Sequence, residues 1–142
     1  MRWCLPVLLT AACFGGCGSA AVEPPQDAPT DTTAVPVIRF EDYFSELAIE
    51  DAGTGQRGLY SEESGYRFSR KARLQLAYVA RRPTVLSIGV VKRATGELAG
   101  VWSKLVEPDA GVVSLGLFPR DLYVLQAYVS GVRIAQIPFA SE

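Results

Sequence analysis

From Val37 onward, apolar and polar residues alternate in short blocks separated by turn-forming residues. Leu74, Leu76 and Tyr78 alternate with Arg73, Gln75 and Ala77, a period of two that turns one face of a strand inward. Arg82-Pro83 ends that block, and Thr84 to Val91 is a short run rich in Val and Ile. Ala94-Thr95-Gly96-Glu97 marks a turn, after which Leu98 to Val106 predicts a further strand. Pro108-Asp109-Ala110-Gly111 marks the next turn, Val112 to Phe118 the next strand, and Pro119-Arg120-Asp121 closes it. Leu122 to Val129 and Val132 to Phe139 are separated only by Ser130-Gly131, the length of a tight hairpin connection. Earlier, Phe40, Tyr43, Phe44 and Leu47 have helical i, i+3, i+4, i+7 spacing, which predicts a strand through Phe40 followed by one or two helical turns. The expectation is an all-β fold, a single antiparallel sandwich of about seven strands over residues 37–142.

The first residues follow another pattern. Met1-Arg2 gives a positive start, an apolar run extends from Trp3 to Phe14 broken only by Pro6 and Thr10, and small residues crowd 15–20. This is the arrangement of an export signal. About 12 apolar residues rise about 18 Å as a helix, too short for a bilayer core of roughly 30 Å. Residues 18–36 hold Pro24, Pro25, Pro29 and Pro36 among Asp and Thr. Few large apolar groups there offset the entropy of ordering, so the stretch reads as an extended tether. In polyproline geometry, at about 3.1 Å per residue, it reaches up to roughly 60 Å.

Cys4, Cys13 and Cys17 are the only cysteines. Phe14-Gly15-Gly16-Cys17 resembles the lipobox of bacterial lipoproteins, with Phe14 where Leu is usual. Thr10-Ala11-Ala12-Cys13 offers a second match, but leaves a short signal and puts bulky Phe14 beside the modified residue. The resemblance implies removal of 1–16, lipidation of Cys17 and a mature chain without a free thiol. It also implies three acyl chains, enough for a stable anchor. Gly18 stands where Asp can act as an inner-membrane retention signal, which points to the outer membrane. The domain organisation is then 1–16 signal peptide, 17–36 lipidated Cys and tether, and 37–142 sandwich.

The C-terminal third resembles secreted bacterial immunoglobulin-like modules. Asp121-Leu122-Tyr123-Val124-Leu125, the Ser130-Gly131 turn and Ile137-Pro138-Phe139 carry the likeness. Tyr123 falls at the tyrosine-corner position, which implies a phenol hydroxyl bonded back to nearby backbone. The Cys…Trp…Cys framework of antibody domains is absent, so the likeness carries architecture alone.

Candidate chemistry is thin. The chain has neither His nor Asn. That excludes Ser-His-Asp and Cys-His catalysis, His-ligated zinc or haem, and N-linked glycosylation. Gly53-Thr54-Gly55-Gln56-Arg57-Gly58 matches a dinucleotide-loop spacing, but no helical period follows it and Tyr stands at position 78. It reads as a surface loop. Glu41-Asp42, Glu50-Asp51 and Glu62-Glu63 lie in polar stretches where acids face solvent, and none has calcium-loop spacing. No G-x-S-x-G or S-x-x-K occurs. Trp102, on a strand with Leu98 and Gly100 on the same face, reads as core.

The expectation is therefore a non-enzymatic binding or scaffolding module for another envelope component, without cofactor or metal. Its partners are the membrane, through the lipid anchor, and an envelope protein or cell-wall polymer, with no nucleic acid. A glycan- or peptidoglycan-binding module, or an envelope hydrolase or enzyme inhibitor, are the other classes.

The formal net charge of −1 hides a separation. Residues 23–63 carry acids against only Arg39 and Arg57, while 64–96 carry no acid but Arg67, Arg70, Lys71, Arg73, Arg81, Arg82, Lys92 and Arg93. Two arrangements fit. In one, acidic strands lie opposite basic ones as surface pairs worth about 0–1 kcal/mol each. In the other, the turns at 67–73, 81–82 and 92–93 gather into one basic patch that meets an anionic partner.

Overall fold

The computed structural model describes residues 37–142. The export signal read over 1–16, the Cys17 site and the tether over 17–36 lie outside them. The described residues form one helical turn, α1 (Phe40–Tyr43), and nine strands. These are β1 (Phe44–Asp51), β2 (Leu59–Ser61), β3 (Gly65–Phe68), β4 (Leu74–Ala80), β5 (Thr84–Lys92), β6 (Leu98–Val106), β7 (Asp109–Gly116), β8 (Asp121–Val129) and β9 (Val132–Ser141). They divide between a three-stranded sheet, β1-β4-β7, and a six-stranded sheet, β2-β3-β9-β8-β5-β6, in a sandwich-like arrangement. Among the described residues, no helix is long and apolar enough to cross a membrane.

The alternation in sequence is the alternation in burial. Leu74, Leu76, Tyr78 and Ala80 of β4 face inward, as do Leu86, Ile88 and Val90 of β5 and Tyr123, Leu125, Ala127 and Val129 of β8. Both sheets feed a single core cluster, in which each fully buried aliphatic or aromatic side chain contributes roughly 1.5–3 kcal/mol. The β8–β9 hairpin turns on Ser130-Gly131 as expected. Both residues have positive φ, 51° and 79°, so the turn twists with its strands.

Three segments depart from the expectation. The helical turn precedes the first strand instead of following it. Phe44 pairs with Ala80 and Leu47 with Tyr78, and an irregularity between Phe44 and Glu46 inserts an extra residue. That bulge sets two inward residues three apart, which imitates helical spacing. β7 begins at Asp109, so the turn after β6 is shorter than Pro108–Gly111. Gly111 lies against the Tyr78 ring, where a Cβ would collide. Finally, β2 and β3 raise the count above seven. β3 runs parallel to β9, with Tyr66 beside Phe139 and Phe68 beside Ser141.

Candidate functional site

Strand direction sorts the eight basic residues. Arg67 lies at the end of β3, and Arg70, Lys71 and Arg73 occupy the connection to β4. Lys92 and Arg93 lie where β5 ends, opposite Tyr123 at the start of β8. These positions share one end of the sandwich, together with the end of β9, since Phe68 is in register with Ser141. Arg81 and Arg82 follow β4 at its far end. Seven strand residues rise roughly 23 Å, so the fold does not bring these two to the others. There the Arg82 guanidinium lies 4.1 Å over the Tyr43 ring, and the Arg81 amide donates to the Tyr43 carbonyl at 2.7 Å.

Backbone bonds hold the cationic end in shape. The Arg70 amide donates to the Glu142 carbonyl at 2.6 Å, and the Glu142 amide to the Phe68 carbonyl at 2.8 Å. The Ala52 amide donates to the Arg73 carbonyl at 2.7 Å, and the Arg93 amide to the Leu122 carbonyl at 2.8 Å. Lys71 and Arg73 line one shallow groove with Asp51 and Thr54. Arg120, in the β7–β8 turn, joins this end. Its charge acts on Glu142, and it lines a groove with Asp121 and Glu142. In the sequence Arg120 stands only as the middle of the Pro119-Arg120-Asp121 turn.

The ion pairs do not join the acidic segment to the basic one. Arg57 pairs with Glu46 inside the acidic segment, Lys92 with Glu97 at 3.0 Å, and Arg67 with Glu142. Arg67 Nη2 reaches Glu142 Oε1 at 3.0 Å, with a second bond from Nε to Oε2. Arg70, Lys71, Arg73, Arg81 and Arg93 form no ion pair among the described residues. β1, which carries Glu46, Glu50 and Asp51, runs beside β4, and Asp51 shares its groove with Lys71 and Arg73.

The Arg67 hydrogen bond, with the charges of Arg67 and Arg120, holds the Glu142 carboxyl below its ordinary value of 4.5. Arg67 is raised in turn, its bond to Glu142 being the main cause. A lowered folded value means a contribution fully present above the ordinary carboxylate range and lost as pH falls through the lowered value. Thermal melting of wild type and Glu142→Gln should therefore differ at neutral pH and converge in acid. Curves offset equally at every pH would rule out this pair as the source.

The remaining motifs resolve simply. The Gly53–Gly58 stretch is an exposed turn in which Asp51 Oδ1 accepts from the Gly53 amide at 2.8 Å, and strand β2 follows it rather than a helix. Tyr123 is fully buried, and its hydroxyl donates to the Pro119 carbonyl at 2.7 Å. Burial, more than the nearby Asp121 charge, pushes that phenol above its ordinary value. Trp102 is half-buried against Phe118, with ring centres 6.2 Å apart. Among the described residues, no group of three His, Cys, Asp or Glu could hold a metal ion. No protein-family model matches the chain, and neither does any curated protein compared with it.

Proposed function

We propose that this chain is an envelope lipoprotein anchored through Cys17, and that its domain is a non-enzymatic module binding an anionic envelope component through the cationic end. The observation that carries the reading is the placement of Arg70, Lys71, Arg73 and Arg93, none of them in an ion pair among the described residues, at the turns of one end of the sandwich. Four solvated cations on backbone-pinned turns set up a local positive potential inside a chain of near-zero net charge. The chain enters the domain at the opposite end, beside Tyr43 and Arg81. The domain is immunoglobulin-like in this reading, supported by the Tyr123–Pro119 bond and by the β9-β8-β5 sheet facing β1-β4-β7.

A second reading, recognition of a neutral glycan, has one observation in its favour. Tyr60 is 61% exposed on β2 and meets Tyr66 edge-on at 5.1 Å.

Retention on isolated cell-wall material tests both readings. The Cys17→Ser chain should leave the membrane fraction yet still sediment with the wall at low salt. Raising salt from 0.1 to 1 M shortens the screening length from about 10 to about 3 Å and should release it. Charge reversal by Arg70→Glu, Lys71→Glu and Arg73→Glu should weaken retention at least about tenfold without lowering the melting temperature. Undiminished, salt-insensitive retention with a lower melting temperature would make these charges structural and overturn the reading. Loss of retention with Tyr60→Ala alone, at any salt, would select the glycan.

A further inference from the structure

The groove that Lys71 and Arg73 line is an open hollow of about 610 Å³, bounded also by Asp51, Thr54 and Ser69. That volume falls in the range of roughly 300–1,000 Å³ common for ligand sites. Two cations stand there against one carboxylate, a local charge of +1. Neither cation forms an ion pair among the described residues, while Asp51 Oδ1 already accepts from the Gly53 amide at 2.8 Å. The hollow runs on past Asp51, Thr54 and Ser69 to Arg57 and Arg67. Those two guanidiniums are taken by Glu46 and Glu142, so the uncommitted cations are Lys71 and Arg73.

The hydrogen bonds around the hollow decide what it can offer. Thr54 Oγ1 accepts from the Gln56 amide and Ser69 Oγ from the Lys71 amide, both at 3.2 Å. Each hydroxyl therefore keeps its proton to give, and neither donates among the described residues. The backbone is already spent. The amides of Ala52, Gly53, Thr54, Lys71 and Ala72 all donate within the chain, and the Asp51, Ser69 and Arg73 carbonyls accept from three of those and from Gly55. What is left for a ligand is two hydroxyl protons, an ammonium and a guanidinium.

We propose that this hollow seats a phosphodiester group of a sugar or polyol chain, with Lys71, Arg73, Thr54 and Ser69 as its donors. The proposal rests on the reading of the cationic end as the binding surface and names the chemistry bound there. A lining of donors calls for a ligand group made of acceptors, and a phosphoryl group is one. An extended peptide must also place its own N–H groups, and the hollow has no free backbone ladder to receive them. A carboxylate accepts in one plane through two oxygens. A tetrahedral phosphoryl group instead accepts from several directions, which suits a guanidinium fork, a point-charge ammonium and hydroxyls carried on two separate turns. The single net positive charge matches the single negative charge of a diester. Because the hollow stays open beyond Thr54 and Ser69, a group inside a chain fits it as well as a chain end.

Binding of the full Cys17→Ser chain to three surfaces tests the proposal: isolated walls, the same walls after cold hydrofluoric acid, and phosphatidylglycerol vesicles. The acid cleaves phosphodiesters and leaves carboxylates, so retention on treated walls should fall at least about tenfold. Capture by vesicles alone would place the same phosphodiester in a lipid headgroup and still support the seat. Thr54→Val with Ser69→Ala should weaken binding at least about tenfold, the effect of losing hydrogen bonds to a charged group. That variant loses no charge, so its salt dependence should keep the wild-type slope, and Thr54→Ser should bind as wild type. Undiminished retention on treated walls, or wild-type binding by the double variant, overturns the phosphodiester seat and leaves the cationic reading standing. Competition by polyglutamate equal to that by polyglycerol phosphate assigns the hollow to acidic peptides and likewise overturns the seat alone. No binding to either wall or to vesicles overturns both.

Discussion

Phe139→Ala should lower the stability of the domain by about 3–5 kcal/mol, the range for removing a fully buried aromatic ring. Phe139 has no exposed surface. Its ring stacks on Tyr123 at 5.2 Å and 19°, and meets Phe118 at 5.3 Å and Phe68 at 6.5 Å edge-on. Those rings come from β8, the turn before it and β3. One substitution therefore opens a hole among three segments, and backbone fixed in the sheet cannot collapse to fill it. For a domain of this size, each kcal/mol moves the melting temperature by about 4 °C or more, so the shift should be roughly 12–25 °C. Urea denaturation should show a lower midpoint with an unchanged slope, and Val101→Ala on the exposed face should fall within about 0.5 kcal/mol of wild type. A loss below about 1.5 kcal/mol for Phe139→Ala would mean the aromatic cluster is looser than its geometry implies.

What the sequence disclosed follows from the reach of each interaction. β4, β5 and β8 are long enough for several repeats of the two-residue period, and each has one face on the core, so their side chains announce them. Ser130-Gly131 and Tyr123 are local signals: a turn conformation in two residues and a hydrogen bond spanning four. β2 and β3 carry three and four residues, too few for a period. They exist because β9, more than 60 residues downstream, offers β3 a parallel edge. The bulge in β1 changed the spacing of its inward residues and so disguised a strand as a helix.

The site divides in the same way. Segregation of charge was visible in the linear sequence. So was the reason the cations could not all meet: Arg73 and Arg81 flank a single strand and must emerge at its two ends. The Arg67–Glu142 pair spans 75 residues and needed the β3–β9 register to be found. Arg120 was hidden because a turn residue between Pro119 and Asp121 carries no sign of which end of the fold it joins.

Gly65→Ala should cost about 2–4 kcal/mol, concentrated in one edge of the structure. Gly65 has φ of 79°, where an L side chain is strained by about 1–2 kcal/mol. A Cβ there would also press into the Pro138 carbonyl and side chain, displacing β9 from β3. Steric displacement of this kind in a packed region adds about 1–3 kcal/mol. β2 and β3 form the outer pair of the six-stranded sheet, so the strain can be released by unpairing them while β9-β8-β5 stays intact. Hydrogen exchange should accordingly accelerate at Tyr66 to Phe68 and leave the amides of β5 and β8 protected. The Arg67–Glu142 pair should loosen with them, which would shrink the acid-sensitive part of the stability. Gly55→Ala is the control, because its φ is 70° but a Cβ there meets nothing within 4 Å. It should show the conformational cost alone. Equal effects of the two substitutions would mean that β3 does not depend on its close approach to Pro138.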